Sequence, residues 1–155
     1  MELKLPITIV SQPDITRVHR ELSIFNDNVT QSILRHEDPI KYPAISGDLK
    51  IIAGDNQIDL LKETDRQQLL DELDKLKKSA VTVHITFALE PSSEILQKLI
   101  AWLRQEINPH IVIQVGLQPT IAGGIILRTP SHQYDFSLRQ HLLKTQDILI
   151  KAMQP

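Results

Sequence analysis

Alternation of apolar and polar residues dominates the second half of the chain. Val81, Val83, Ile85 and Phe87 interleave with Thr82, His84, Thr86 and Ala88, the two-residue period of a strand with one buried face. Ile111, Ile113, Val115 and Leu117 repeat the pattern against Val112, Gln114 and Gly116, which predicts a second strand with all four branched residues on one core face. Between them, Pro91, Ser92, Ser93 and Glu94 open a helix whose band is Ile95, Leu96, Leu99, Ile100 and Leu103, and Asn108-Pro109 stops it. A strand, helix and strand of this length form a β-α-β crossover, so the two strands are expected parallel. Trp102 sits at the border of the band, where core or domain packing is the default and a partner contact the alternative. After Gly123-Gly124 come two short strands around a Thr-Pro-Ser turn, then Asp135, which is expected to open a last amphipathic helix.

Upstream the period is helical. Leu3, Leu5, Ile7 and Ile9 alternate, but Pro6 lacks a ladder donor and confines 1–10 to an edge strand or an extended arm. Ser11, Pro13 and Asp14 then mark a helix start. Ile15, Val18, Leu22, Phe25 and Val29 follow at spacings of three and four, one stripe that faces either this chain or a partner helix. Pro39 and Pro43 are expected to end it. Ser46 caps a short helix through Leu49, Ile51 and Ile52, closed by Gly54 or Asn56 in the left-handed conformation. Thr64 and Gln67 read as a capping box for a third helix with Leu69, Leu70, Leu73 and Leu76 on one face. Its acidic run, Asp71, Glu72 and Asp74, reads as a solvated face rather than a metal site.

The fold class expected is therefore α/β in the α+β sense. A helical region of about three helices, residues 1–79, precedes a β-α-β-β-β-α domain, residues 80–155. Length agrees, because 155 residues suffice for one compact domain with a helical extension. Aromatic residues make up only 4%, so Leu, Ile and Val must fill the core. A net charge of -2 argues against a large nucleic-acid footprint. With no cysteine, disulfides and thiolate metal sites are excluded, and no run approaches the roughly 20 apolar residues of a membrane span. The chain reads as cytoplasmic.

Candidate chemistry is sparse. His19, His36, His84, His110, His132 and His141 include no pair at helical ligand spacing and no His-Glu-x-x-His, so no metal is expected. Asp135, Ser137 and His141 contain triad residue types, but capping explains Asp135 and Ser137 better. No catalytic residue and no cofactor are assigned. Gly123-Gly124 precedes a strand and lacks the following Gly-Lys-Ser/Thr of a phosphate loop; such a pair permits a bulge, a bend or close approach of another backbone.

Taken together, Gly123-Gly124, the hairpin, and Asp135-x-Ser137 followed by Leu138, Leu142 and Leu143 resemble the C-terminal signature of the delta subunit of F-type ATP synthase. In mitochondria this family is the oligomycin-sensitivity-conferral protein. The resemblance covers Val81 to Met153, with Phe136 where the family has a glycine. It implies a non-catalytic peripheral stalk subunit, bound to the N-terminal segments of the alpha subunits and the C-terminal helices of the b subunits, and reaching the membrane only through the complex. The family's N-terminal domain has six helices, whereas the residues before Val81 have room for about three. The resemblance makes Gly123, Gly124, Asp135 and Ser137 a structural motif, and the outer face of the last helix, with Arg139, Lys144, Ile148 and Ile150, the candidate interface. The alternative is a small α/β enzyme or ligand-binding domain, which a pocket lined by His110, Asp135 and His141 would favour. A V- or A-type ATPase stalk subunit and a nucleic-acid adaptor are further readings, the first requiring a long coiled-coil helix and the second a basic stripe with stacking aromatics.

Overall fold

The computed structural model describes residues 3–36, 42–121 and 123–138. Within them the order is three helices, α1 (Gln12–Leu34), α2 (Gly47–Asp55) and α3 (Glu63–Ser79), then β1 (Thr82–Phe87), α4 (Ser93–Glu106), β2 (Val112–Leu117), β3 (Gly124–Arg128) and β4 (Gln133–Ser137). The four strands form one sheet in the order β2-β1-β3-β4. β1 and β2 are parallel, as the crossover predicts, and β3 pairs antiparallel with both β1 and β4. The class is α+β, with the helices first. The last predicted helix lies outside the described residues.

Helix α1 starts where its sequence says. The Asp14 carboxylate accepts from the Val10 and Ser11 backbone N–H groups and from the Ser11 hydroxyl, so an N3 acid satisfies donors that the first turn leaves open. Its stripe packs within the chain. Ile15, Val18 and Leu22 join Leu49 and Ile52 of α2 and Leu69, Leu73 and Leu76 of α3 in one buried cluster, and Phe25 stacks on Tyr42 with ring centroids 6.4 Å apart. Polar contacts fix the same arrangement. Glu21 of α1 accepts from the backbone N–H and hydroxyl of Ser46, which places a carboxylate at the N-terminus of α2, where the helix dipole favours it.

Several helix ends differ from expectation. α1 stops at Leu34, before either proline, because His36 takes φ 53° and its N–H bonds back to the Ile33 carbonyl at 3.0 Å. Pro39 lies outside the described residues. At the end of α2 neither Gly54 nor Asn56 turns left-handed; Gln57 does, with φ 56°. Asn56 instead uses its side chain, accepting from Lys4 N and donating to the Lys4 and Ile52 carbonyls. The Thr64–Gln67 capping box does not form. α3 begins one residue earlier with Lys62 at the cap, Thr64 bonds to Asp65, and Gln67 turns to Asp71. No side chain caps its first turn; Asp65 instead accepts from the Asp59 N–H of the preceding loop at 3.0 Å.

Among the described residues, 3–10 form no strand. Residues 3–10 make an arm with a turn closed by Ile9 N to Pro6 O, which buries Leu3 and Ile9 and leaves Ile7 exposed. The arm's last residue still behaves like a strand partner, because Ile113 N of β2 donates to Val10 O at 2.8 Å.

In the sheet, register puts Val83, Ile85 and Phe87 on the same face as Ile113, Val115, Leu117, Ile125 and Leu127. Ile100 and Leu103 of α4 bury the first part of that face. Only Ile111 and Ile113 of the four predicted β2 core residues are buried; Val115 is 40% and Leu117 57% exposed. The reason lies in the crossover. A connecting helix runs back against its strands, so the end of α4 covers the strand beginnings, while its first turn, with exposed Ile95, leaves their carboxyl ends open. Val112 points the other way and is buried in the helical cluster, so the start of β2 is covered on both faces.

This packing makes two substitutions informative. Arg66 is 1% exposed and donates to Asn26 Oδ1 and to the Leu60 and Leu61 carbonyls at 2.8–3.0 Å. Arg66→Ala empties a buried side-chain site and removes the donor of three part-buried acceptors, and is expected to lower stability by about 2–4 kcal/mol in urea unfolding, with no recovery in Arg66→Lys. Asp48 accepts from Arg17 at 2.6 Å and from Thr8 at 2.7 Å, which holds its carboxyl below the ordinary value of 3.8 and raises Arg17. A carboxylate with a depressed folded pKa contributes stability above its unfolded value and loses it as pH falls through the folded one. Asp48→Asn is therefore expected to cost about 0.5–1 kcal/mol at neutral pH, as a half-exposed pair should, and the difference from wild type is expected to shrink in titrations below about pH 4.

Candidate interaction surface

On the α4 face of the sheet, α4 and the β3–β4 hairpin stand apart and leave an apolar groove of about 590 Å³. Its floor is Val83, Leu103, Ile111 and Leu127; its walls are Trp102 and Ile107 on one side and Tyr134 and Phe136 on the other. The walls follow from periodicity. Tyr134 pairs with Leu127 and Phe136 with Ile125, so alternation along β4 sends both aromatics to the α4 face. Their rings stack at 6.3 Å, and His132 continues the stack at 6.1 Å from Tyr134. Trp102 is 54% exposed and Phe136 61%, so Trp102 is not the core residue that the default reading made it. It begins the groove wall because its position on α4 lies at the edge of the buried Ile100–Leu103 stripe.

The hairpin that carries the aromatics depends on Gly123-Gly124. Both have positive φ, 149° and 79°, a region that side chains disfavour. Gly124 lies opposite Ser137 in the ladder, and a Cβ there would overlap the Phe136 carbonyl oxygen. The backbones close up further through Leu138 N to Gly123 O at 3.0 Å. Asp135 and Ser137 lie in β4 rather than at a helix start. Asp135 Oδ1 accepts from Ser137 N at 2.8 Å, a local bond of the kind short acidic side chains make where a strand ends. Ser137 is buried. The predicted interface residues Arg139, Lys144, Ile148 and Ile150, together with His141, Leu142 and Leu143, lie outside the described residues.

Titratable groups do not converge. His110 Nε2 meets the Leu3 carbonyl at 3.3 Å beneath the arm, while Asp135 sits on the far strand of the sheet. His19 pairs with Asp74 at 3.2 Å between α1 and α3, and His132 Nδ1 meets Ser131 Oγ at 2.8 Å. Among the described residues no group of three or more histidines and carboxylates could hold a metal ion. Nor is any described helix long and apolar enough to cross a membrane.

One ionisable side chain stands out by its surroundings. Arg104, on α4, donates to the carbonyls of Pro6 at 2.9 Å, Ile9 at 2.6 Å, Ile111 at 3.2 Å and Leu5 at 3.4 Å. Burial lowers its pKa to about 10, which leaves it charged at neutral pH. Nothing in the apolar band around it signals this role in the sequence.

Helices packed on a small mixed sheet, with an exposed aromatic groove and no converging polar cluster among the described residues, form a body that offers surface. Residues 8–149 match the sequence pattern of the ATP synthase delta (OSCP) subunit family, and the chain belongs to that family. It is similar to ATP synthase subunit delta of Enterobacter sp., with 25% identity over 113 residues, 68% of this chain and 64% of that protein. Its similarity to the subunit delta of Teredinibacter turnerae is 24% over 101 residues, covering 65% and 56%. For that of Ligilactobacillus salivarius the identity is 27% over 104 residues, covering 62% and 58%. The chain thus spans less than two thirds of the length of these relatives.

The hairpin geometry predicts a contrast between glycines. Gly124→Ala is expected to destabilise by well over about 1 kcal/mol, because it combines a disfavoured φ with a backbone clash. Gly54→Ala, inside α2 with open space around it, is expected to stabilise by about 0.5–1 kcal/mol. Thermal unfolding of the two variants beside wild type checks both signs.

Proposed function

We propose that this chain is a non-catalytic subunit of the peripheral stalk of a rotary F-type ATP synthase. It joins the alpha subunits of the catalytic head to the b subunits and resists the torque of rotation. Family membership across residues 8–149 is the observation that carries this reading. The half-exposed aromatics of the groove support it, since large apolar side chains left in water are characteristic of surfaces that meet another protein. In this reading the helical region, residues 1–79, meets the N-terminal segments of the alpha subunits, and residues 80–155 meet the C-terminal helices of the b subunits. The protein is cytoplasmic and peripheral to the membrane through the complex. Gly123, Gly124, Asp135 and Ser137 act structurally, by shaping the hairpin. Two surfaces of the second region compete for the b helices: the groove of Trp102, Ile107, Tyr134 and Phe136, and the segment with Arg139, Lys144, Ile148 and Ile150.

Titration calorimetry with peptides from the C-terminal helices of the b subunits separates them. Wild type is expected to bind, and a Trp102→Ala, Phe136→Ala variant to bind about tenfold or more weakly if the groove is the seat, as loss of aromatic anchors does. Should Ile148→Ser, Ile150→Ser weaken binding instead, the C-terminal segment is the seat. An intact folded protein that binds neither b nor alpha peptides and turns over a small substrate would overturn the proposal.

A further inference from the structure

The arm of residues 3–10 touches both halves of the molecule, and it does so mainly through its own backbone. On the helical side, Asn56 of α2 binds the Lys4 backbone twice, at 2.8 Å from N and 3.0 Å to O. The Thr8 hydroxyl donates to Asp48 at the start of α2, and Leu3 and Ile9 are buried in the helical cluster. On the sheet side, Arg104 of α4 gathers the Leu5, Pro6 and Ile9 carbonyls. Ile113 of β2 donates to Val10 O, and Val10 packs against the sheet cluster.

These contacts alternate along eight residues rather than segregating to one half. A segment that merely decorated either half would have partners on one side. Arg104 also has four carbonyl acceptors, three of them on the arm. A partly desolvated guanidinium needs acceptors for its planar fork of N–H donors, so the arm completes the Arg104 site as much as Arg104 holds the arm.

We infer that the segment Leu3–Val10 is a strap that locks the helical region and the α/β region into one mechanical body, with Arg104 as its latch. Release of the latch converts a single cooperative unit into two units that open separately. The inference rests on packing within this chain, so it stands or falls independently of the stalk reading. Its consequence for any load-bearing role is direct: a body that hinges between its halves dissipates strain that a locked one transmits.

Urea unfolding followed by two signals tests it. Trp102, the single tryptophan, lies on α4 and reports the α/β half by fluorescence, whereas α1, α2 and α3 hold most of the helical residues among those described and weigh most in far-ultraviolet circular dichroism. In wild type the two transitions are expected to coincide, as in a single cooperative unit. In Arg104→Met the helical signal is expected to unfold first, with midpoints about 1 M urea apart. Asn56→Ala, which loosens the strap from the other end, is expected to separate them in the same sense by a smaller interval. Transitions that stay superimposed in both variants, whether or not their common midpoint falls, would overturn the strap, as would separate transitions in wild type. If Arg104→Met does not fold, the Asn56→Ala result decides alone.

Discussion

A part-buried guanidinium coordinated by main-chain carbonyls ties the N-terminal arm to the α/β region. Arg104 sits about a hundred residues from Leu5, Pro6 and Ile9, and its four bonds to carbonyl oxygens do what a hydrophobic contact cannot. They fix the direction of the backbone. Desolvating a cation costs several kcal/mol, and burial duly draws its pKa down to about 10. Neutral carbonyl dipoles offset that penalty only when several point inward at once, so the arm must adopt one conformation. The turn at Pro6 to Ile9, the burial of Leu3 and Ile9 and the bond from Ile113 N to Val10 O hold the same conformation. Arg66 solves the same problem in the helical half with two carbonyls and an amide oxygen.

The second constraint is the close approach at Gly124. Because no side chain stands between it and Phe136, β3 and β4 stay paired to the end of the ladder, and the alternation along β4 places Tyr134 and Phe136 above the sheet instead of beside it. The groove exists because α4 does not reach them. Its buried residues, Ile100 and Leu103, lie over β1 and the start of β2, which leaves the hairpin half of the face uncovered. A closed core and an open aromatic face thus arise from one helix of fixed length placed on one side of a four-stranded sheet.

Much of this was legible in the order of residues. The 3.6-residue stripes of α1 and α3 and the two-residue alternation of β1 and β2 were plain, and the parallel pairing followed from the length of the crossover. Local grammar was less reliable at helix ends, where tertiary contacts chose among capping residues of similar strength. His36 and Gln57 take the left-handed positions that end α1 and α2, where Pro39 or Pro43 is expected to stop the first and Gly54 or Asn56 to close the second, and α3 starts at Lys62 with no side-chain cap. Arg66 and Arg104 were invisible, because periodicity treats a charged residue as a solvent marker and carries no information about carbonyls brought in from distant segments. The groove was missed for a related reason. Trp102, Tyr134 and Phe136 come from two separate elements, and only the register of β3 with β4 and the position of α4 bring them face to face. Asp135 and Ser137 have the residue types of a helix start, whereas β4 includes them both.

The size of the groove bears on how such a body would hold its neighbours. Three aromatics of about 150–250 Å² each, about half exposed, offer roughly 300 Å², worth about 7 kcal/mol at ~25 cal/mol per Å². Association alone costs about 4–15 kcal/mol. One such groove therefore grips weakly, and a durable attachment needs a second contact on the same body. Two modest contacts become strong together only if they are held at a fixed spacing, since a hinge between them lowers the effective concentration of the second site. In the stalk reading, the helical region and the groove belong to the two regions that the Arg104 latch joins. The rigidity of that junction, more than the affinity of either surface, then sets how firmly a head and a stalk are joined.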